Sequence, residues 1–170
     1  LALAALLFTG CAAEEVSPYE RAQHGTVILE SDTSFGSGVI VQRQSPEGKT
    51  RTFIWTAAHV VEGVDKIKVR VVVRHEYQKV GERTYSARVV AREFETDLAL
   101  LKIDVARPLP TMPLGTATDL MVGETVIAVG HPYGYMHTTS VGVVSALNRK
   151  IRLPVGDFLT GLIQTDAAIN

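Results

Sequence analysis

TAAHVV, residues 56–61, follows the apolar run 53–55 and determines how the rest of the chain is interpreted. The apolar run predicts a β-strand, and the two alanines after it leave room for the backbone to turn tightly. The next side chain, His59, can then project into a crevice. An imidazole accepts and releases a proton near neutral pH, so His59 is a candidate acid–base residue. The alternative is a packed or surface histidine, since histidines are commonly half-buried.

A second candidate is Asp97, which comes immediately before the apolar stretch 98–101. A carboxylate at the mouth of such a strand is partly removed from water, which is costly unless the carboxylate is paired. An imidazole N–H facing Asp97 would satisfy it and would fix the tautomer of the ring. The alternative is a surface aspartate in a turn, where aspartate is common.

The sequence also predicts many short β-strands. Valine is the commonest residue, with 22 occurrences, and long stretches of helical periodicity are absent from the sequence. The stretch 107–110, Arg-Pro-Leu-Pro, interrupts the strands and is predicted to cross between two units. An antiparallel all-β sandwich or barrel is therefore expected. The predicted strands are 26–29, 37–43, 51–56, 66–74, 83–92, 98–103, 124–129, 140–147 and 159–165.

Composition supports a folded domain and argues against binding to nucleic acid. The chain has 170 residues, of which 46% are hydrophobic and 21% charged, which is enough apolar material for a core. The formal net charge of −1 gives no general attraction to nucleic acid. Lys66, Lys68 and Arg70 alternate with apolar residues, which is typical of the solvent face of a half-buried strand.

The first residues have the pattern of an export signal. Residues 1–11 form an apolar run that ends in small residues, shorter than the roughly 20 residues of a membrane-spanning helix. Residues 12–24 are polar and predict a linker to the folded domain. Cys11 is the only cysteine, so the domain is expected to fold without a disulfide.

The stretch 7–11, Leu-Phe-Thr-Gly-Cys, resembles the lipobox of bacterial lipoproteins. This resemblance implies cleavage before Cys11, lipidation of its sulfur and attachment to a membrane. Phe8 departs from the pattern, in which an aliphatic residue is usual. The alternative is an ordinary signal whose cysteine has no role.

Six blocks in order resemble the HtrA/Deg-type serine proteases, a trypsin-like family. This family folds as a pair of six-stranded antiparallel β-barrels with the site in the crevice between them. The resemblance implies a complete first barrel at residues 25–107 and part of a second barrel at 108–170. The blocks are Gly36-Ser37-Gly38-Val39-Ile40, Thr56–Val61, Thr96–Lys102, Val129-Gly130-His131-Pro132-Tyr133-Gly134, Val141–Ser145 and Ile163–Asn170.

The same resemblance implies a serine endopeptidase of the bacterial periplasm or cell envelope. Its substrates would be misfolded or exported polypeptides, and it would self-associate. His59 matches the general base and Asp97 the carboxylate that orients it. The family pattern continues from Asp-Ala-Ala-Ile-Asn into Pro-Gly-Asn-Ser-Gly-Gly, which puts the nucleophilic serine shortly after Asn170. The 170 residues alone are therefore expected to be inactive.

A second functional hypothesis is a non-catalytic binding or chaperone module in which the serine is replaced. The presence of both His59 and Asp97 favours the enzyme, because a site without chemistry needs neither. No cofactor is predicted: metal-ligand spacing, phosphate loops and cofactor motifs are absent from the sequence, and this chemistry requires none.

Overall fold

The computed structural model describes residues 17–31, 35–75, 78–131, 138–152 and 158–169. Over these ranges the chain forms one α-helix and nine β-strands, with two short 3₁₀ helices at Ala58–Val61 and Ala117–Asp119. The predicted strands are all present, several with longer bounds. In chain order the elements are α1 Pro18–His24, β1 Thr26–Glu30, β2 Phe35–Gln44, β3 Thr50–Thr56, β4 Lys66–His75, β5 Gln78–Glu93, β6 Leu98–Ile103, β7 Thr125–Gly130, β8 Thr138–Arg152 and β9 Phe158–Thr165.

Strands β1 to β6 close into an antiparallel barrel in the order β1-β2-β3-β6-β5-β4. Its interior is filled by aliphatic side chains, of which Ile40, Ile54 and Leu101 are completely buried. A fully buried side chain of this size stabilises a fold by about 1.5–3 kcal/mol. This interior is the main core and holds the strand ends that carry the candidate site.

The alternation predicted for β4 is present. Ile67 and Val69 are buried in the barrel, while Lys66 and Lys68 are exposed on its outer face. Successive side chains of a strand point to opposite faces, so an alternating sequence produces one buried face and one solvent-exposed face. The basic residues of this strand therefore belong to an ordinary solvent face.

Strands β7, β8 and β9 form a separate three-stranded antiparallel sheet with β8 in the middle. The β8–β9 register shifts between Ala146 and Arg149, and Asn148 there has a φ of 55°. Asparagine is among the non-glycine residues that most often adopt this left-handed conformation. The closed barrel and this second sheet confirm the predicted all-β class, in which a complete first barrel is followed by a second antiparallel sheet.

Helix α1 lies in the stretch for which the sequence predicts a linker. Ser17 caps it, since its Oγ accepts the backbone N–H of Glu20 at 3.2 Å, and Pro18 occupies the first turn. The helix contacts β1, β4 and β7. It therefore lies against both the barrel β1–β6, here called the first unit, and the sheet β7–β9, the second unit. Across the described ranges, no helix has the length and apolar content needed to cross a membrane.

The crossing between the units is packed against the barrel. Leu109 is buried with the barrel core, and the backbone N–H of Met112 donates to the carbonyl oxygen of Ile40 at 3.0 Å. The two prolines beside Leu109 prevent a continuous strand and allow this segment to leave the barrel. The crossing therefore fixes the second sheet close to β2.

Some predicted features lie outside the described residues. These are the signal at residues 1–11 with Cys11, the stretch Pro132–Gly134 and the terminal Asn170. The expectations attached to them remain predictions.

Candidate active site

The histidine of TAAHVV lies on a short turn of 3₁₀ helix directly after β3. Ala58, Val60 and Val61 are buried and hold this turn on the barrel, whereas the side chain of His59 is 69% exposed. The small and apolar residues around His59 thus anchor the backbone and leave the imidazole facing outwards. The tight turn expected after the two alanines is this 3₁₀ helix.

Asp97 ends the turn between β5 and β6. Its backbone N–H donates to the carbonyl oxygen of Phe94 at 3.3 Å, and its φ is 53°. Aspartate tolerates this left-handed conformation better than most residues with a Cβ. The turn directs the side chain of Asp97 towards the 3₁₀ helix next to β3.

Asp97 accepts three hydrogen bonds from two consecutive residues. Its carbonyl oxygen accepts the backbone N–H of Ala58 at 3.0 Å, and its Oδ1 accepts the backbone N–H of His59 at 3.0 Å. Its Oδ2 lies 2.8 Å from Nδ1 of His59. The predicted meeting of the two side chains across 38 residues is therefore present in the structure.

The contact determines which ring nitrogen is available for chemistry. An ionised carboxylate only accepts hydrogen bonds, so Nδ1 of His59 carries the hydrogen in the contact with Asp97. In the neutral ring Nε2 is then the acceptor. Asp97 is 35% exposed and His59 more so, which leaves Nε2 accessible to a reacting group. The pair can therefore take up a proton from a hydroxyl that comes within hydrogen-bond distance of Nε2.

Two glycines allow β2 to pass close beneath this turn. A Cβ on Gly36 would lie 2.5 Å from Cγ1 of Val60, and a Cβ on Gly38 would lie 3.2 Å from the carbonyl oxygen of Trp55 and overlap Ile54. A Cβ on either glycine would come within 3.0 Å of a neighbouring side chain, which real Cβ atoms essentially never do, so the Gly-Ser-Gly stretch lets β2 support the backbone on both sides of His59.

The segment 165–169 of the second unit is fixed against β8. Oδ1 of Asp166 accepts the backbone N–H of Val143 at 2.7 Å, and the hydroxyl of Ser140 donates to the carbonyl oxygen of Ala168 at 2.7 Å. A Cβ on Gly142 would overlap the backbone of Ala167. Close packing and side-chain bonds therefore hold this segment against β8.

A cavity of about 240 Å³ adjoins that segment. Its lining is mainly small or apolar, with two hydroxyl groups. The lining residues are Ala128, Val129, Gly130, Thr138, Ser140, Ala168 and Ile169. Among the residues that the structure describes, no group of three His, Cys, Asp or Glu side chains is arranged to hold a metal ion.

The structure brings together the two polar residues that the sequence singles out, and it adds supporting contacts that the sequence pattern does not indicate. The hydroxyl of Thr56 donates to the carbonyl oxygen of Ser37 at 2.8 Å, and Oγ of Ser37 accepts the backbone N–H of His131 at 2.8 Å. Ser37 is 94 residues from His131, and hydrophobic periodicity carries no signal for a contact of this kind.

A closed β-barrel joined to a second antiparallel sheet, with a histidine–aspartate pair at the strand ends of the barrel, is an arrangement typical of trypsin-like peptidases. The family model that matches this chain is the trypsin-like peptidase domain, over residues 36–170. The chain therefore belongs to the trypsin-like peptidase family.

Curated relatives agree with this assignment. The chain is 42% identical over 137 residues to a "Probable periplasmic serine endoprotease DegP-like" of Pseudomonas savastanoi pv. phaseolicola, covering 81% of this chain and 25% of the relative. It is 35% identical over 134 residues to "Protease Do-like 1, chloroplastic" of Arabidopsis thaliana, covering 74% of this chain and 29% of that protein. The chain thus spans about a quarter of the length of these relatives.

Together with these relatives, solved structures show that the chain belongs to the HtrA/Deg-like group of the trypsin-like family. The crystal structure of Deg5 matches with a TM-score of 0.70 and 32% identity, covering 89% of this chain and 72% of that one. The HtrA-type protease AlgW with a tripeptide matches with a TM-score of 0.69 and 33% identity, covering 88% and 45% of the two chains.

Proposed function

We propose that the protein is a serine endopeptidase of the bacterial cell envelope that cleaves misfolded or exported polypeptides. His59 is the general base, Asp97 orients and stabilises its ring, and the nucleophile is a serine that follows Asn170. The observation that carries the proposal is the 2.8 Å contact between Nδ1 of His59 and Oδ2 of Asp97. The DegP-like relative supports the reaction class and the envelope location, and the HtrA-type AlgW structure supports the reaction class.

In the first step the serine oxygen attacks the scissile carbonyl carbon while the hydroxyl proton passes to Nε2 of His59. The electron pair of the C=O bond moves onto oxygen, and backbone N–H groups beside the serine stabilise that charge. The intermediate then collapses, and Nε2 returns the proton to the leaving amine as the C–N bond breaks. A water molecule repeats the sequence on the acyl-enzyme and releases the new carboxyl end.

The role of Asp97 is electrostatic and geometric. It remains ionised, keeps the hydrogen on Nδ1 and stabilises the imidazolium that forms when Nε2 takes up the serine proton. Its second oxygen accepts the backbone N–H of His59, so the ring and its backbone are oriented together. The same carboxylate thus keeps the base in one tautomer and one place.

The test is labelling of the full-length protein with a fluorophosphonate, which reacts with an activated serine. We expect one labelled serine in the native sequence and none in His59→Ala. Glu62→Ala is the matched control, because Glu62 is exposed and lies directly after the 3₁₀ helix that carries His59. It should label like the native protein.

Two outcomes would count against the proposal. Full labelling of His59→Ala would remove His59 from the mechanism. A folded full-length protein that neither labels nor hydrolyses a denatured protein substrate would instead favour the non-catalytic binding or chaperone module.

Two further features, a lipid anchor and self-association, belong to the proposal. We propose that Cys11 carries a lipid that attaches the protein to a membrane, as the lipobox-like stretch 7–11 implies. We also propose self-association, as the family resemblance implies, and sedimentation of the full-length protein tests it.

A further inference from the structure

The serine of the Gly-Ser-Gly stretch has no part in the proposed chemistry, but the fold gives it a particular orientation. Ser37 pairs directly with Ile28 across the β1–β2 ladder, so the two side chains share one face of the sheet. A Cβ on the neighbouring Gly36 would meet Val60, which belongs to the barrel core. Successive residues alternate between faces, so Ser37 points away from the barrel interior.

The outer face at Ser37 contacts the second unit. Ile28 is completely buried, although it is absent from the cluster of side chains inside the barrel. Strand β2 contacts β7, and the residue that follows β7, His131, donates its backbone N–H to Oγ of Ser37 at 2.8 Å. The hydroxyl of Ser37 is therefore bonded to the second unit.

The backbone of the same residue is bonded to the strand that leads to His59. Thr56, the last residue of β3, is buried and donates its hydroxyl to the carbonyl oxygen of Ser37 at 2.8 Å. His59 follows three positions later along the chain. Ser37 thus joins the base of the first unit to the second unit through two hydrogen bonds.

We propose that Ser37 is a positioning residue that sets the spacing between the His59–Asp97 pair and the segment 165–169, which leads to the nucleophile. This inference rests on the proposed function, in which the base comes from one unit and the serine from the other. Proton transfer requires the donor and acceptor atoms about 2.6–3.2 Å apart, and a misplacement of about 1 Å can cost roughly 10²-fold in rate. We therefore expect loss of this hydrogen bond to lower the rate more than it lowers the stability of the fold.

A second side-chain bond links helix α1 to the second unit. Nε2 of Gln23 donates to Oγ1 of Thr139 at 3.3 Å, so it joins α1 to β8. Neither residue lies on the strands next to His59. Removing this bond should leave the spacing at His59 unchanged, which makes Gln23→Ala a useful comparison for Ser37→Ala.

The experiment compares Ser37→Ala, Ser37→Thr, Gln23→Ala and Ser86→Ala in the full-length protein. Ser86 lies on β5 and is exposed, so its variant controls for loss of a strand hydroxyl. We expect Ser37→Ala to lower kcat about tenfold with KM within about twofold, equivalent to about 1.4 kcal/mol of barrier. Ser37→Thr, which keeps the accepting hydroxyl, should recover most of the rate, and both controls should match the native enzyme.

Hydrogen exchange gives a readout that does not depend on activity. The amide of His131 should exchange at least severalfold faster in Ser37→Ala, while the core amides of β3 keep their native rates. An unchanged kcat in Ser37→Ala, with His59→Ala inactive, would overturn the positioning role and leave the proposed function intact. A loss of rate that merely follows the unfolded fraction, or that Ser37→Thr does not recover, would also overturn it. An inactive native protein would instead overturn the proposed function, and exchange at His131 would still test the contact.

Discussion

The carboxylate of Asp97 contacts His59 at two points: Oδ2 lies 2.8 Å from Nδ1 of the ring, and Oδ1 accepts the backbone N–H of the same residue at 3.0 Å. One aspartate therefore controls both the ring and the backbone that carries it. The carbonyl oxygen of Asp97 adds a third bond, to the N–H of Ala58. A change at Asp97 is expected to alter the position of the imidazole more than the structure of the barrel, because all three bonds lie at the rim of the barrel.

Asp97→Asn should preserve the fold and abolish most of the activity. Asparagine also tolerates the left-handed φ of 53°, so the turn is retained. Its amide group, however, can donate to Nδ1 and stabilise the wrong tautomer, which is expected to lower kcat by about 10⁴. Steady-state kinetics on a denatured protein substrate measures the loss, and circular dichroism verifies the fold.

Asp104→Asn is the matched control for this change. Asp104 lies one residue beyond β6, is 91% exposed and pairs with Lys102 at 3.4 Å, so its replacement should leave kcat unchanged. Activity of Asp97→Asn within tenfold of the native enzyme would contradict the role given to the carboxylate.

Gly36→Ala should destabilise the protein through the turn that carries His59. The new Cβ would lie 2.5 and 2.8 Å from the two γ-methyl groups of Val60, and overpacking of this kind costs about 1–3 kcal/mol. Urea denaturation measures the free energy of unfolding. Gly81→Ala is the control, because a Cβ on that strand glycine meets nothing within 4 Å.

The double variant Gly36→Ala/Val60→Ala distinguishes the contact from a general effect of the substitution. Removing the two methyl groups of Val60 relieves the overlap, so the two changes should be non-additive by about 0.5–3 kcal/mol. Strict additivity would show that Gly36 does not support the His59 turn in this way.

Gly142→Ala should disturb the second unit. A Cβ there would overlap the backbone nitrogen of Ala167 and lie 2.7 Å from its Cα, and a backbone cannot move away as a flexible side chain can. We expect a loss of about 1–3 kcal/mol in stability and slower fluorophosphonate labelling. The control is Gly115→Ala, whose Cβ meets nothing within 4 Å. Native labelling in Gly142→Ala would mean that the conformation of segment 165–169 does not affect the nucleophile.

Cys11→Ser should release the protein from the membrane. A lipidated cysteine contributes about 0.8 kcal/mol of membrane affinity for each buried methylene, and serine carries no such chain. Cell fractionation followed by immunoblotting measures the partition, and proteolytic activity of the released form should be unchanged. An unaltered membrane fraction would rule out anchoring through this residue.

The strands were predictable because their signal is local. Ile67 and Val69 alternate with Lys66 and Lys68, and such alternation follows directly from the pleat of a strand. Helix α1 carried a local signal as well, since Ser17 and Glu20 have the spacing of a capping box. Its short polar sequence nevertheless matched a linker equally well. Only the packing of this segment against both units distinguishes a helix from a linker.

The site was predictable only in part. The pairing of His59 with Asp97 joins residues 38 positions apart, and family resemblance suggested it where spacing alone did not. The hydrogen bond from His131 to Ser37 cannot be predicted from the sequence pattern, because its donor is a backbone N–H that every residue except proline possesses. Contacts of this kind depend on how two folded units meet, and composition does not encode that.

The barrel β1–β6 is built from one uninterrupted stretch of sequence, and each of its strands already has two hydrogen-bonded neighbours. A chain emerging during synthesis or export can therefore complete this ladder before the second sheet exists. Under the proposed function, the proton acceptor and its carboxylate would then be assembled before the nucleophile, and a half-made molecule would not yet cleave the polypeptides around it.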